Sequence, residues 1–281
     1  MRGGRPRLGV RHLADALVAS LMLAAPAAAG PRIVSLDQCA DQYVLALAPR
    51  EEIVGLSKRA RNADSHERAL ATGAPEQRAN LEAVLASRAN IAVVYWTTDA
   101  RLPGALHRRG VAVVQIDEAN DFPGIRANVR KVATALGQPA AGEALVARMD
   151  AQLAASHGAW SGARALYLTP GGFTAGPDTL VGAVMAAAGL APLQTAPGYA
   201  PVSLEALVLN PPAALVLGFF RDLEGGRQHW TIASNGYLQG LVRQRAIASL
   251  PGRVLGCPAW FASEGSQMLA QAHAQAHVGA R

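Results

Sequence analysis

Cys39 and Cys257 are the only two cysteines of the chain, and their thiols offer the most distinctive chemistry in the sequence. Each follows a predicted buried strand, one in each half of the chain, so we expect them to face one another. In an oxidising compartment two cysteines usually form a disulfide, whereas free thiolates are soft ligands for a metal. We favour free thiols, because a bond between the halves would oppose opening and closing of the space between them. Two unrelated, half-buried cysteines are the third alternative.

Motifs that would indicate an enzyme are missing from the sequence. It contains no P-loop, no H-E-x-x-H and no G-x-G-x-x-G. The nearest approach to a G-x-S-x-G nucleophile elbow is the segment 158–162, GAWSG, in which the serine is misplaced. We therefore predict no catalytic residues, no bound cofactor and no resident metal ion.

The first 29 residues read as a secretory signal peptide. Four arginines precede an apolar stretch at 13–25, and Pro26 and a run of small residues follow. That apolar stretch is too short for a permanent membrane anchor, and no later segment approaches the ~20 apolar residues that a transmembrane helix needs. We expect an exported, soluble protein of a Gram-negative periplasm.

Charge argues against a nucleic-acid partner. The whole chain carries +6, but without residues 1–29, which hold four arginines and one aspartate, the net charge is +3. The basic residues form no cluster interleaved with aromatic residues, which is the pattern typical of nucleic-acid binding. We expect a monomer that does not bind nucleic acid.

Strand-like and helix-like segments alternate along the chain, which predicts an α/β fold with parallel sheets. Short apolar runs predict buried strands, and amphipathic segments between them predict helices, with Asn80, Asp121, Asp178 and Ser203 as N-caps. The predicted strands are 32–36, 52–56, 91–95, 111–116, 164–168, 213–218 and 253–256. The predicted helices are 40–48, 80–87, 100–109, 121–136, 179–188, 203–209, 236–243 and 263–276.

An internal repeat predicts two similar lobes. Residues 80–94, NLEAVLASRANIAVV, align without a gap with residues 203–217, SLEALVLNPPAALVL. One repetition indicates two lobes rather than a solenoid. Between the copies, Pro139–Ser156 has a helical stripe of Leu145, Met149 and Leu153. We predict a first lobe at 30–137, a linking helix at 138–158 and a second lobe at 159–281.

In the order and spacing of its segments, the chain resembles the periplasmic binding proteins for cobalamin, ferric siderophores and haem, the receptors of ABC importers. The resemblance covers 32–276. The segments that carry it are RIVSL (32–36), EIVGLS (52–57), NLEAVLA (80–86), RRGVAVVQID (108–117), PGGFTAGPDTLVGAVMAAAG (170–189), YAPVSLEALVLNPPAALVL (199–217) and LPGRVLGCPAWF (250–261). It implies two α/β lobes joined by one long helix, with a metal chelate bound in the cleft between them.

Ligands of parallel α/β sheets bind at the carboxyl ends of the strands, so residues just after the strands are the candidates. Relatives that bind cobalamin carry an aromatic residue at the positions of Trp96, Phe173, Tyr199 and Trp260, and aromatic walls suit large flat ligands. Arg59 replaces a tyrosine of those relatives, which puts cobalamin itself in doubt and suits an anionic group. The predicted ligand-binding residues are Cys39, Arg59, Trp96, Phe173, Tyr199, Phe220 and Trp260.

The resemblance also implies a partner, the permease of an ABC importer in the inner membrane. Glu205 matches the acidic docking position of the second lobe. On the first lobe the matching position is Ala100, so Asp99 is the nearest candidate and Glu82 is the fallback. Each could instead be a carboxylate that stabilises the first turn of a helix.

We therefore expect a periplasmic substrate-binding protein that captures a cobalt- or iron-containing chelate, either a corrinoid or a ferric siderophore, and delivers it to a permease. A receptor for a bare metal ion is an alternative. An exported α/β enzyme is another.

Overall fold

The computed structural model describes residues 30–219 and 235–279. The predicted signal peptide and Phe220 lie outside the described residues.

The first lobe is built on a parallel five-stranded sheet with the order β3-β2-β1-β4-β5. Its strands are β1 (Ile33–Ser35), β2 (Ile53–Ser57), β3 (Glu76–Gln77), β4 (Ile91–Val94) and β5 (Ala112–Gln115), and its helices are α1 (Gln38–Leu47), α2 (Leu81–Ala86), α3 (Leu102–Arg108) and α4 (Phe122–Ala135). Alternate residues of the central strands enter separate apolar clusters. Ile33 and Val93 pack in one, whereas Val34 and Val94 pack in the other. The continuous apolar runs therefore mark strands that are buried on both faces.

The linking helix α5 (Pro139–Ser156) confirms the predicted stripe. Leu145 and Met149 are buried, and Leu153 packs against the same core. Gly142 allows α5 to approach α4 closely, because a Cβ at this position would lie 2.5 Å from the Cβ of Ala133. The predicted lobe boundaries on either side of α5 stay a prediction.

The second lobe contains a parallel four-stranded sheet, order β11-β10-β6-β8, and a two-stranded antiparallel sheet of β7 and β9. The strands are β6 (Ala163–Leu168), β7 (Phe173–Ala175), β8 (Leu190–Pro192), β9 (Tyr199–Pro201), β10 (Ala214–Gly218) and β11 (Ala246–Leu250). The helices are α6 (Leu180–Ala187), α7 (Leu204–Leu209), α8 (Gly236–Arg245), α9 (Gly252–Leu255) and α10 (Ala262–Gly279).

The internal repeat of the sequence is confirmed as a structural unit. Its first copy, α2 with β4, and its second copy, α7 with β10, each consist of a capped helix, a turn and a buried strand.

Two local predictions in the second lobe are wrong. Residues 253–256 do not form a strand: α9 begins after Pro251 and buries Val254 and Leu255, and the strand is β11, an edge strand with mostly half-exposed residues. The N-cap of α6 is Thr179, whose hydroxyl accepts from the amide of Gly182. Asp178 instead accepts from the amide of Gly198.

The segment Cys257–Glu264 returns to the first lobe, and we call its contact with α1 and the loop after β2 the lobe junction. Tyr43 of α1 donates a hydrogen bond to the carbonyl of Pro258 over 2.6 Å. The rings of Tyr43 and Trp260 meet edge to face, with centroids 5.4 Å apart. Because both rings are almost fully buried, this contact is part of the core.

The cysteines lie in this junction and form a disulfide, with Cα atoms 5.4 Å apart. Our preference for free thiols that contact a ligand is therefore wrong for both Cys39 and Cys257. The expected conflict with ligand loading does not arise, because the bond fastens two packed segments and does not span an open cleft. Their predicted proximity is confirmed.

His66 adds a charged contact to the lobe junction. Its Nε2 lies 2.9 Å from Glu264 Oε1 and its Nδ1 lies 3.0 Å from Glu67 Oε1, while its ring stacks on Phe261 with centroids 4.2 Å apart. Burial alone would lower the pKa of His66, but the hydrogen bonds and charges of Glu264 and Glu67 outweigh it and raise the pKa to about 9. His66 is therefore a half-buried cation at neutral pH.

Replacing both cysteines, Cys39→Ala with Cys257→Ala, should lower the free energy of unfolding by about 2–5 kcal/mol, because the bond restricts the unfolded chain over a long loop. Urea unfolding of the variant and of the oxidised protein measures the difference. Reduced wild type serves as the control and should approach the variant. Two reactive thiols in denatured, unreduced protein would contradict the assignment.

The contribution of His66 to stability should depend on pH. Because its pKa in the folded protein is raised from the ordinary value of 6.5 to about 9, the contribution is complete below pH 6.5 and is lost as the pH rises through 9. The stability difference between wild type and His66→Gln, measured by urea unfolding at pH 6, 7.5 and 9.5, should shrink along this series. A difference that stays constant would show that the imidazolium charge does not contribute.

Candidate ligand-binding cleft

A cavity of about 640 Å³ opens at the carboxyl ends of β1, β2, β3 and β4. Its volume falls in the range of sites that hold small molecules and cofactors. The lining residues are Leu36, Asp37, Gln38, Ser57, Lys58, Arg59, Glu76, Gln77, Arg78, Ala79, Trp96, Thr97 and Thr98. This is the edge of the sheet at which ligands of parallel α/β folds are expected.

Asp37 organises one wall of the cavity. Its Oδ1 caps α1 by accepting from the amides of Cys39 and Ala40, each over 3.0 Å, and its Oδ2 accepts from Tyr95 at 2.7 Å and Trp96 at 3.1 Å. Burial raises the pKa of Asp37, and these four hydrogen bonds act in the opposite direction. One carboxylate thus joins the start of α1 to the loop after β4 and fixes the backbone that carries Trp96.

A second buried carboxylate, Asp41, positions the loop after β2. It accepts from the amide of Ser57 at 2.8 Å, from the Ser57 hydroxyl at 2.6 Å and from the hydroxyl of Ser35. Burial raises the pKa of Asp41 to about 6, although the three hydrogen bonds oppose the rise. The Ser57 hydroxyl in turn accepts from the amide of Arg59 over 3.1 Å, so Asp41 controls the backbone at the rim of the cavity.

The rim carries an excess of positive charge. Lys58, Arg59 and Arg78 are exposed, and none of them forms an ion pair within the described part of the chain. Of the two carboxylates in the lining, Asp37 is already engaged by four amides. The rim therefore favours a ligand with negative groups at its edge.

Both lobes carry exposed aromatic rings near strand ends. Trp96, after β4 of the first lobe, is 64% exposed, and Phe173 and Tyr199, the first residues of β7 and β9 in the second lobe, are 46% and 59% exposed. These are three of the 14 aromatic side chains of the chain. Rings of this size in contact with water are characteristic of surfaces that become covered on binding.

Glu118 of the first lobe interacts electrostatically with Tyr199 of the second lobe. Glu118, shortly after β5, accepts a hydrogen bond from the hydroxyl of Tyr95 over 2.6 Å. Burial raises the pKa of Tyr199, a hydrogen bond with Thr179 lowers it, and the charges of Glu118 and Asp178 raise it. The charge of a first-lobe carboxylate therefore acts on a phenol of the second lobe.

The predicted site residues divide into three groups. Arg59 and Trp96 line the cavity, and Phe173 and Tyr199 are exposed on the two-stranded sheet of the second lobe. Cys39 is bonded in the lobe junction, and Trp260 is 1% exposed and packs on Tyr43 and Phe261, so Trp260 is a core residue and not a wall of the cleft. Its assignment depended on a strand at 253–256 that does not exist. Phe220 lies outside the described residues.

Several residues of the cleft escaped the sequence analysis, namely Asp37, Lys58, Arg78, Tyr95 and Glu118. Asp37, Lys58 and Glu118 follow predicted strands closely, so the rule that selected Trp96 would have found them, whereas Tyr95 is the last residue of the predicted strand 91–95. Arg78 could not be found in this way, because β3 has only two residues and leaves no recognisable pattern.

The predicted docking carboxylates are all exposed. Glu205 stands in the first turn of α7 and Glu82 in the first turn of α2. Asp99 precedes α3 and accepts from the amide of Arg101 over 3.0 Å. Next to Glu205, the apolar side chains of Leu204, Val208, Leu209 and Tyr237 are also exposed.

Within 30–219 and 235–279, no group of three or more histidine, cysteine, aspartate or glutamate side chains is arranged to hold a metal ion. A search of the same residues for membrane-spanning helices finds none with the necessary length and apolarity.

The sequence is similar to those of known binding proteins. A family profile described as periplasmic binding protein matches residues 33–219. A cobalamin-binding protein of Halobacterium salinarum is 27% identical over 201 residues, which cover 68% of this chain and 54% of that protein. The chain therefore spans about half the length of the curated relatives it matches.

Solved structures share the fold. The apo periplasmic heme-binding protein RhuT from Roseiflexus sp. RS-1 has a TM-score of 0.66 at 22% identity, covering 88% of this chain and 99% of that one. The periplasmic vitamin B12 binding protein BtuF of Vibrio cholerae has a TM-score of 0.61 at 14% identity, covering 88% and 97%.

Proposed function

This chain belongs to the periplasmic binding protein family, and from that premise we propose that it captures an anionic chelate of iron or cobalt for an ABC importer. The observation that carries the proposal is the cavity at the strand ends, which combines the exposed ring of Trp96 with the cationic rim of Lys58, Arg59 and Arg78. Corrinoids, ferric siderophores and haem are the candidate ligands.

The aromatic residues suit the body of such a ligand. A planar or broad chelate offers a large apolar face, and covering an exposed tryptophan or tyrosine ring with it removes much apolar surface from water. Trp96 would contact the ligand from the first lobe, and Phe173 and Tyr199 from the second. A ligand held from both sides would become largely enclosed.

The charges suit the edge of the ligand. Guanidinium and ammonium groups that are not already paired lose little when they bind a carboxylate or another anionic substituent. Asp41 fixes the loop that carries Lys58 and Arg59, and Asp37 fixes the loop that carries Trp96, so this part of the site is preorganised before binding. Preorganisation reduces the entropy that is lost when the complex forms.

Delivery requires a second surface, and we propose that Glu205 docks on the permease of the importer. The exposed apolar side chains beside Glu205 support this role, because a protein interface combines apolar contact area with charges at its rim. Asp99 would serve the same purpose on the first lobe. Export to the periplasm through the segment 1–29 would bring the protein to this partner.

Trp96→Ala and Tyr199→Ala should each weaken ligand binding without unfolding the protein, because each removes an aromatic wall contact worth about 1–3 kcal/mol, or roughly five- to 150-fold in Kd. Calorimetric titration with haemin, cyanocobalamin and a ferric hydroxamate measures the change for whichever compound binds wild type. Tyr237→Ala removes an exposed ring outside the cleft and should leave affinity unaltered. Wild-type affinity in both cleft variants would exclude them from the site.

Glu205→Ala should leave the Kd for the ligand intact and slow uptake through the permease. Exposed charges that guide a partner act mainly on association and on its salt dependence. Uptake into vesicles that contain the permease, measured at several salt concentrations, tests this expectation. Glu51→Ala is the matched control, since Glu51 is exposed in the first lobe away from α7. Normal uptake by Glu205→Ala at physiological salt would disprove the docking role.

A further inference from the structure

A separate cavity of about 340 Å³ lies in the second lobe, between the sheet and α7. Arg164 and Leu166 of β6, Thr174 of β7 and Leu207 of α7 contribute to its lining. It shares no lining residue with the cavity at the strand ends of the first lobe. The proposed capture of a chelate therefore does not use it.

A buried hydroxyl without a partner lines this cavity. Thr174 is only 4% exposed, and its Oγ1 forms no hydrogen bond with any described residue. Buried polar groups are almost always paired, so an exception points to a group that the cavity would receive. A hydroxyl can donate to an anion as well as accept from a donor.

Arg164 supplies a positive charge to the same cavity. Among the described residues its guanidinium donates one long hydrogen bond, 3.3 Å to Asn210 Oδ1, and forms no ion pair. The lining contains no aspartate or glutamate. A guanidinium with free donors is well suited to a carboxylate, which it can bind with two parallel hydrogen bonds.

The rest of the lining combines an apolar surface with the polar side chains of Gln194, Ser203 and Asn210. In the apolar part, Leu166 and Leu207 belong to the core cluster of this lobe, and Leu193 and Val202 pack against that cluster. A ligand would therefore meet a cation and polar groups beside a hydrocarbon surface. Such a site discriminates in favour of a molecule that has an anionic head and a short apolar tail.

We propose that this cavity binds a small carboxylate with a short hydrocarbon tail, which Arg164 holds by its carboxylate. The hydroxyl of Thr174 donates a further hydrogen bond, and the tail lies against Leu166, Leu193, Val202 and Leu207. Because α7 forms one wall, the bound molecule joins α7 to β6 in addition to the bond between Arg164 and Asn210.

Calorimetric titration of the full chain with octanoate tests the proposal, with octanol as the uncharged probe of equal tail length. We expect saturable binding of one octanoate, at least tenfold weaker binding of octanol, and a loss of at least tenfold in Arg164→Gln. Thr174→Val should weaken octanoate binding severalfold. Arg108→Gln removes an exposed arginine of the first lobe and should change nothing.

Further variants separate this site from the cleft and from a loss of folding. Leu193→Trp fills the cavity while it retains Arg164, so it should abolish octanoate binding with an unaltered circular dichroism spectrum. Trp96→Ala should bind octanoate like wild type. The proposal is overturned if wild type shows no saturable octanoate binding, if Arg164→Gln binds normally, or if Trp96→Ala loses the binding.

Discussion

The lobe junction is the contact on which the arrangement of the two lobes depends. One connection between the two sheets is α5, which packs against α4 and α10. In addition, the segment after α9 returns to the first lobe, where the buried rings of Tyr43 and Trp260 meet and a disulfide closes beside them. Two separated connections oppose rotation about either one, which favours a cleft of nearly constant width over one that opens by a large hinge movement.

Two carboxylates hold the loops at the carboxyl ends of the first sheet in fixed positions. Asp37 joins α1 to the loop after β4, and Asp41 joins the ends of β1 and β2. Removal of carboxylates from water is unfavourable, as the raised pKa values of both groups show. The hydrogen bonds that compensate for this cost are directed to the backbone that carries Trp96 and Arg59. The position of the candidate site is thus determined largely by these two carboxylates and by the backbone groups that they bind.

The sequence predicted the elements whose stability is mainly local, and it failed where tertiary contacts decide. Long apolar runs located β1, β4 and β10, and side-chain caps such as Asn80 and Ser203 located helix starts. β3, β7, β8 and β9 have two or three residues each and form because a neighbouring strand is available for pairing. Such short segments contain no run of apolar residues long enough to predict a strand. Trp260 was misplaced for the same reason, since the burial of its ring depends on the distant Tyr43. The disulfide could be named only as an alternative, because the choice depended on whether Cys257 lies in an open cleft or in a packed junction.

The disulfide also changes the covalent topology of the protein. Cys39 and Cys257 are separated by 218 positions, and the chain between them contains α5 and, apart from β1, every strand of both sheets. The bond therefore converts nearly the whole fold into a single covalent ring with two tails. Hydrolysis of one peptide bond within that ring, for example in the exposed turn 195–197, opens the ring but releases no fragment. A nicked molecule gains one water but keeps its two pieces joined until a reductant reaches the junction. The bond therefore gives the protein a tolerance of proteolysis that packing alone would not provide.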